Sequence, residues 1–242
     1  MDVDGGAPTP GAIAEALAAA GETPVDLDEL AARWRTARVQ VLCRGAARVA
    51  ENPNAPAKVR GAWGRALGAG ASEAALAGGP CAWSAPCGYD LFFNAHGRLT
   101  SRLEVPKPYV FALEPLGRDL LVELTLFGFA VEWAGEAADA LVRALRGGLD
   151  EARGRRPLEV AERAIGVSEG LELPPPAPAA ALRFRTPVAL RSGDAVHVDP
   201  AALVTSLANR IGGAGALAGR GAARGPGGAE ARRGGGGRHR AL

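Results

Sequence analysis

The 242-residue chain carries 28 Lys and Arg against 26 Asp and Glu, a formal net charge of +2, with 48% hydrophobic and only 5% aromatic residues. That balance supports a core built on Leu, Val and Ala, and no run approaches the roughly 18 apolar residues needed to cross a bilayer. Asp2 and Asp4 stand where an export signal would be basic, and three cysteines (Cys43, Cys81, Cys87) are too few for a disulfide framework, which points to a reducing cytoplasm.

In chain order, residues 1–35 read as an acidic, Ala-rich leader. Residues 1–30 hold seven acidic side chains and no basic one, and Ile13, Leu17 and Ala20 form a weak helical stripe with nothing to anchor it. The sign then reverses. Residues 33–65 hold eight basic side chains (Arg33, Arg35, Arg38, Arg44, Arg48, Lys58, Arg60, Arg65) against Glu51 alone. Such an excess is the footprint of a polyanion site or, equally well, a solvated basic face neutralised by the leader.

Val39 to Val49 reads as a strand, ended by Asn52-Pro53-Asn54. Residues 58–67 put Val59, Trp63, Ala66 and Leu67 on one helical stripe, with Lys58 and Arg65 opposite. Trp63 belongs to the core on this pattern. A Gly-rich, Cys-containing loop follows to about residue 102. Residues 103–113 read as a strand whose Pro106 and Pro108 confine that end to a sheet edge or to an irregular entry. A turn at Glu114-Pro115-Leu116-Gly117 leads to a strand over 119–133, with Leu120, Val122, Leu124 and Leu126 on one face.

Residues 136–146 are a well-marked helix, acidic in its first turn, basic in its last and stopped by Gly147-Gly148. Residues 157–173 read as a return strand with a bend. Strand, helix, strand, strand, helix, strand is the ferredoxin-like order, so residues 36–173 are expected to form an α+β domain of that type. A Pro-rich linker at 174–180 precedes a partial second ferredoxin-like unit at 181–211. There Ser192-Gly193-Asp194 turns a hairpin, and Asp199-Pro200 starts a helix carrying Leu203, Leu207 and Ile211. Residues 212–242 are Gly, Ala and Arg, a basic tail expected to be disordered, with the composition of either a native tail or a frameshifted end.

Four blocks in this order resemble one family. "KVRGAWGRAL" (58–67) resembles the Arg-Gly-aromatic-Gly helix of CRISPR pre-crRNA-processing endoribonucleases of the RAMP superfamily. "CAWSAPCGYDLFF" (81–93) resembles a Cys-containing loop of one branch. "PKPYVFALEPLGRDLLVELTLFGFA" (106–130) resembles the paired strands ending in Leu-Phe-Gly-x-Ala, and "LRFRTPVALR" (182–191) resembles the Phe-x-Thr-Pro strand that opens the second domain. The resemblance implies tandem ferredoxin-like domains, the second cut short here, holding CRISPR repeat RNA and working beside effector-complex subunits. It implies metal-independent cleavage in which the ribose 2′-hydroxyl attacks the adjacent phosphate and leaves a 2′,3′-cyclic end. The other readings are a non-catalytic RNA-binding subunit and a truncated, inactive family member, the last favoured by exposed apolar residues such as Leu203 and Leu207.

That chemistry calls for a general base, a general acid and cations on the phosphorane charge. The helix block holds no histidine, and His96 in "FFNAHGRL", beside Arg98 and Arg102, is the nearest candidate base, with Tyr89 and Lys107 as fallbacks. The expected RNA contacts are Arg44, Lys58, Arg60, Arg65, Arg98, Arg102, Arg183 and Arg185. His197 reads as a surface or RNA contact. Cys81 and Cys87 with His96 lack the tight spacing and the fourth ligand of a common zinc site, so no metal or other cofactor is expected.

Overall fold

Period-two alternation sets the central strand. In Arg35–Arg44 (β1), Ala37, Val39, Val41 and Cys43 are fully buried while Arg38 and Arg44 face solvent. The computed structural model describes residues 26–83, 86–94, 96, 106–151, 154–175, 190–192, 195–197, 203, 204 and 207. Strand β1 begins and ends earlier than its hydrophobic run suggests. Gly45 adopts a φ of +62°, and Ala47–Glu51 wind into a 3₁₀ turn. Ahead of it, Leu27–Ala32 (α1) forms within the acidic leader, its first turn capped by the Asp26 carboxylate, which accepts from the Glu29 amide at 2.7 Å.

Ala55–Gly68 (α2) starts with Pro56 in its first turn and buries Val59, Ala62, Trp63 and Leu67. The stretch that composition marks as a loop holds two short helices, Glu73–Leu76 (α3) and Gly88–Phe93 (α4). Neither is long enough to stand alone; tertiary contacts through Ala75, Leu91 and Phe92 hold them.

Tyr109–Leu116 (β2) and Asp119–Phe127 (β3) form a hairpin in which Leu116 faces Asp119. The turn therefore falls at Gly117-Arg118, later than the proline suggests, with Gly117 at φ +61° and Pro115 in register opposite Leu120. Past Phe127 the chain leaves the sheet through a 3₁₀ turn, Gly128–Trp133, where extended structure is expected from sequence. Ala134–Gly147 (α5) follows, burying Ala137, Ala138, Ala140, Leu141, Ala144 and Leu145, and stops at Gly148 with φ +97°. A small ribbon of Leu149–Glu151 (β4) and Gly154–Arg156 (β5) leads to Glu159–Glu169 (β6).

The result is an α+β unit. Its four-stranded sheet has the order β2-β3-β1-β6 with antiparallel neighbours throughout. Helices α2 and α5 pack against each other, and the core beneath them takes Leu120, Val122, Leu124 and Leu126 of β3 with the buried residues of β1. Strand β2 is an edge strand, and Pro106 and Pro108 fall just before it, at its entry. Further on, Leu190–Ser192 (β7) and Ala195–His197 (β8) pair as an antiparallel hairpin, and Leu203, Val204 and Leu207 are helical. The strand over 182–189, the Asp199-Pro200 start and the tail at 212–242 lie outside the described residues. Among the described residues, no helix is long and apolar enough to cross a membrane.

One glycine of α2 is fixed by packing. A Cβ on Gly64 would lie 2.6 Å from Phe93 Cζ, whereas one on Gly61 would meet only Arg65 Nη1 at 3.9 Å. Ala is the better helix former by about 1 kcal/mol, yet forcing the packed, partly buried Phe93 ring aside costs about 1–3 kcal/mol. Gly64→Ala is expected to destabilise the fold by up to about 2 kcal/mol and Gly61→Ala to stabilise it by up to about 1 kcal/mol. Urea denaturation of both variants checks the opposite signs.

Candidate functional site

Between α2 and the edge strand β2 runs an open groove of about 350 Å³, lined by Pro56, Ala57, Arg60, Lys107, Tyr109, Val110 and Phe111. The wall behind it is aromatic. The Trp63 ring lies 4.9 Å from Phe92, 5.5 Å from Phe93, 5.0 Å from Tyr109 and 5.3 Å from Phe111, centroid to centroid. Trp63 itself is fully buried and donates its indole N–H to the Ala137 carbonyl at 3.0 Å, so it serves the core rather than stacking on a ligand.

Arg60 is the cation this wall presents. Its guanidinium sits 5.3 Å from the Phe93 ring centroid, and its Nε donates to the Tyr109 hydroxyl at 2.7 Å. These contacts fix the plane of an otherwise exposed side chain. The remaining donors of its fork have no partner among the described residues, a suitable arrangement for a phosphate oxygen pair. Tyr109 accepts from Arg60 and keeps its own proton to donate. Composition and charge do not single out this tyrosine; its one sequence signal is its place directly after Pro108 at the start of an edge strand.

Lys107 brings the second charge to the groove and also closes α4. Its Nζ donates to the Phe93 carbonyl at 3.0 Å and to the Asn94 carbonyl, the acceptors a helix leaves open at its C-terminus. Tyr89 stacks on Phe93 with centroids 5.4 Å apart and planes 12° from parallel. That contact presses the Phe93 ring towards Gly64 and Arg60.

His96 folds back onto the same helix, with Nε2 at 2.8 Å from the Asp90 carbonyl oxygen. A carbonyl can only accept, so Nε2 carries the proton and Nδ1 holds the lone pair. Burial pushes the imidazole below its ordinary value of 6.5, against the favourable Asp90 contacts, and the Lys107 charge lowers it further. The ring is therefore neutral near pH 7, the state a general base requires.

The other expected RNA contacts are dispersed. Arg65 pairs with Asp150 at 2.9 Å, and Arg44 faces Glu159 at 3.7 Å on the opposite edge strand. Lys58 lines a separate hollow with Arg48, Asp150, Glu151 and Arg156, where the charges are mixed. Arg98, Arg102, Arg183 and Arg185 lie outside the described residues. Of the described basic candidates, Arg60 and Lys107 are the two that share one groove.

Cys81 and Cys87 sit beside each other ahead of α4, while Cys43 lies in the sheet core, where burial pushes its thiol up to about 11. Among the described residues, no group of three His, Cys, Asp or Glu side chains is placed to hold a metal ion.

The fold and groove define an α+β domain with a cationic, aromatic-backed cleft on one edge of a four-stranded sheet. A family model described as an N-terminal domain, AF_1859_N, matches residues 34–170, more than half of the chain, and the chain belongs to that family. The matched span starts one residue before β1 and ends one residue after β6, so it takes in the whole sheet. Comparison with curated proteins and with solved structures found no match.

The depressed His96 value has a measurable consequence. As pH falls below 6.5 the unfolded chain takes up a proton at this site before the folded chain does, so stability is lost until the lower folded value is passed. The thermal midpoint is expected to fall more steeply between pH 7 and 5 in the natural chain than in His96→Gln, which keeps a side-chain donor for Asp90. Calorimetric scans across that range check the difference in slope.

Proposed function

We propose that this chain is an RNA-binding protein of the RAMP type, related to the CRISPR pre-crRNA-processing endoribonucleases and acting in the cytoplasm. The strand order β2-β3-β1-β6, with a helix crossing between β1 and β2 and another between β3 and β6, supports a ferredoxin-like domain. The observation that carries the functional reading is the groove in which Arg60 is held flat by Tyr109 and Phe93 beside Lys107. A pre-oriented guanidinium next to a second cation suits a phosphodiester. Trp63, Phe92 and Tyr109 of the aromatic wall behind it are buried, so recognition falls on the backbone of the RNA more than on stacked bases.

Cleavage without a metal would run through attack of a ribose 2′-hydroxyl on the adjacent phosphate. Nδ1 of His96 is the base the tautomer leaves available, and Arg60 and Lys107 are the cations for the phosphorane oxygens. A non-catalytic RNA-binding subunit is the second reading. It is favoured by the ties of His96 and Lys107 to α4 carbonyls, which give both side chains a structural task.

Incubation of the chain with CRISPR repeat RNA in EDTA, read by mobility shift and on a denaturing gel, separates these. Binding is expected, weakened about tenfold in Arg60→Ala, with the slope of log affinity against log salt reduced by about one. An affinity unaltered in Arg60→Ala at every salt concentration would sink the groove as the binding site. A single cut ending in a 2′,3′-cyclic phosphate and lost in His96→Ala establishes the nuclease; a shift without a cut leaves a binding subunit.

A further inference from the structure

The loop before α4 carries a thiol pair that RNA binding does not use. Cys81 Sγ accepts a hydrogen bond from Ser72 Oγ at 3.2 Å and another from the Cys87 backbone amide at 3.4 Å. Ser72 is itself buried and anchored as the N-cap of α3, its Oγ accepting from the Ala75 amide at 3.2 Å, so it is a fixed donor. The Cys81 amide is tied in turn to the buried Asp90 carboxylate at 2.9 Å, which Asn94 also holds at 3.0 Å. A sulfur gathered by aligned donors on a fixed backbone is a site built for negative charge.

The two thiols differ in access. Cys81 is half-buried and reachable from solvent; Cys87 is 3% exposed, and its backbone amide lies 3.4 Å from the Cys81 sulfur. We propose that Cys81 is a modification site for hydroperoxides and that Cys87 is its resolving partner, the pair closing to a disulfide at the entry to α4. The Cys81 thiolate attacks one peroxide oxygen and breaks the O–O bond, giving a sulfenic acid and releasing hydroxide or alkoxide, which takes a proton from water. The Cys87 thiol then attacks the sulfenic sulfur; its proton leaves with the departing hydroxide as water. Two thiol sulfurs are oxidised and one peroxide is reduced, so the step balances.

Ionisation agrees with the roles. Partial burial works to raise the Cys81 thiol, but the bonds from Ser72 and from the Trp83 and Cys87 amides outweigh it and leave it below the ordinary thiol value. Burial, reinforced by the neighbouring Cys81 sulfur, pushes Cys87 up. The attacking group is thus ionised first and the resolving group is held as a thiol until the sulfenic acid forms. Cys43 has neither access nor donors and takes no part.

The test is graded hydrogen peroxide on the full chain, followed by non-reducing peptide mapping and by dimedone trapping in Cys87→Ser. The expected results are a Cys81–Cys87 disulfide with loss of two hydrogens, and dimedone on Cys81 in the variant. Ser72→Ala is expected to slow iodoacetamide labelling of Cys81 at pH 6.5 by about tenfold, the effect of one hydrogen bond to a charged group. Differential alkylation of the unaltered chain supports the assignment if Cys81 labels well ahead of Cys87, and it holds even where a variant folds poorly. Cys81 labelling no faster than Cys87, or dimedone found on Cys87 in Cys81→Ser, would overturn it.

Discussion

The indole of Trp63 joins four parts of the molecule. Its N–H reaches the Ala137 carbonyl of α5, and its ring meets Phe92 and Phe93 of α4 and Tyr109 and Phe111 of β2, while its own backbone belongs to α2. Two helices, the short helix and the edge strand therefore share one buried side chain. Aromatic pairs of this kind contribute about 0.5–1.5 kcal/mol each beyond their buried area, and the interior is otherwise dominated by Ala, Leu and Val. Because Phe93 and Tyr109 are the two residues that orient Arg60, the groove inherits its geometry from the same contact set.

Much of the sheet was legible because its alternation is clean. Leu120, Val122, Leu124 and Leu126 share one face in the sequence and are all fully buried. The helix over Ala134–Gly147 was marked at both ends by charge and glycine, and it forms within two residues of that expectation. Strand β6 was harder to read for a specific reason. A bulge at Ala161 places Val160 opposite Cys43 but Glu162 opposite Leu42, so the positions on the sheet face of the buried β1 residues change parity from Val160 to Arg163, Ile165 and Val167, and the last three are exposed. Two short helices hid in a Gly- and Cys-rich stretch because tertiary contacts, which no local pattern reports, are what hold them.

The candidate site was legible in its charges and not in its geometry. Eight basic residues between 33 and 65 suited an anion surface or a solvated basic face equally well, and carboxylates from Glu132 onward claim several of them: Asp150 takes Arg65, Glu159 takes Arg44, and Glu132 and Glu169 take Arg35. Sequence distance conceals such pairings. Arg60 stands apart because its neighbours are a phenol and an aromatic ring instead of carboxylates. Lys107 and His96, chosen from sequence for proton transfer or charge, both bond carbonyls at the end of α4, a second occupation that only the folded chain reveals.

Among the described residues the sheet has four strands, and its two outer edges carry features that discourage a fifth. Strand β2 carries Pro115 in register, a residue with no amide hydrogen to offer a fifth strand, and Glu114 beside it. Strand β6 carries Glu159, Glu162, Arg163 and Glu169 along eleven residues. A second polypeptide adding to either side would bring its backbone against fixed charge or a missing donor. The long β6 ribbon, exposed along most of its length, is thereby guarded against the cross-chain pairing that begins fibril growth.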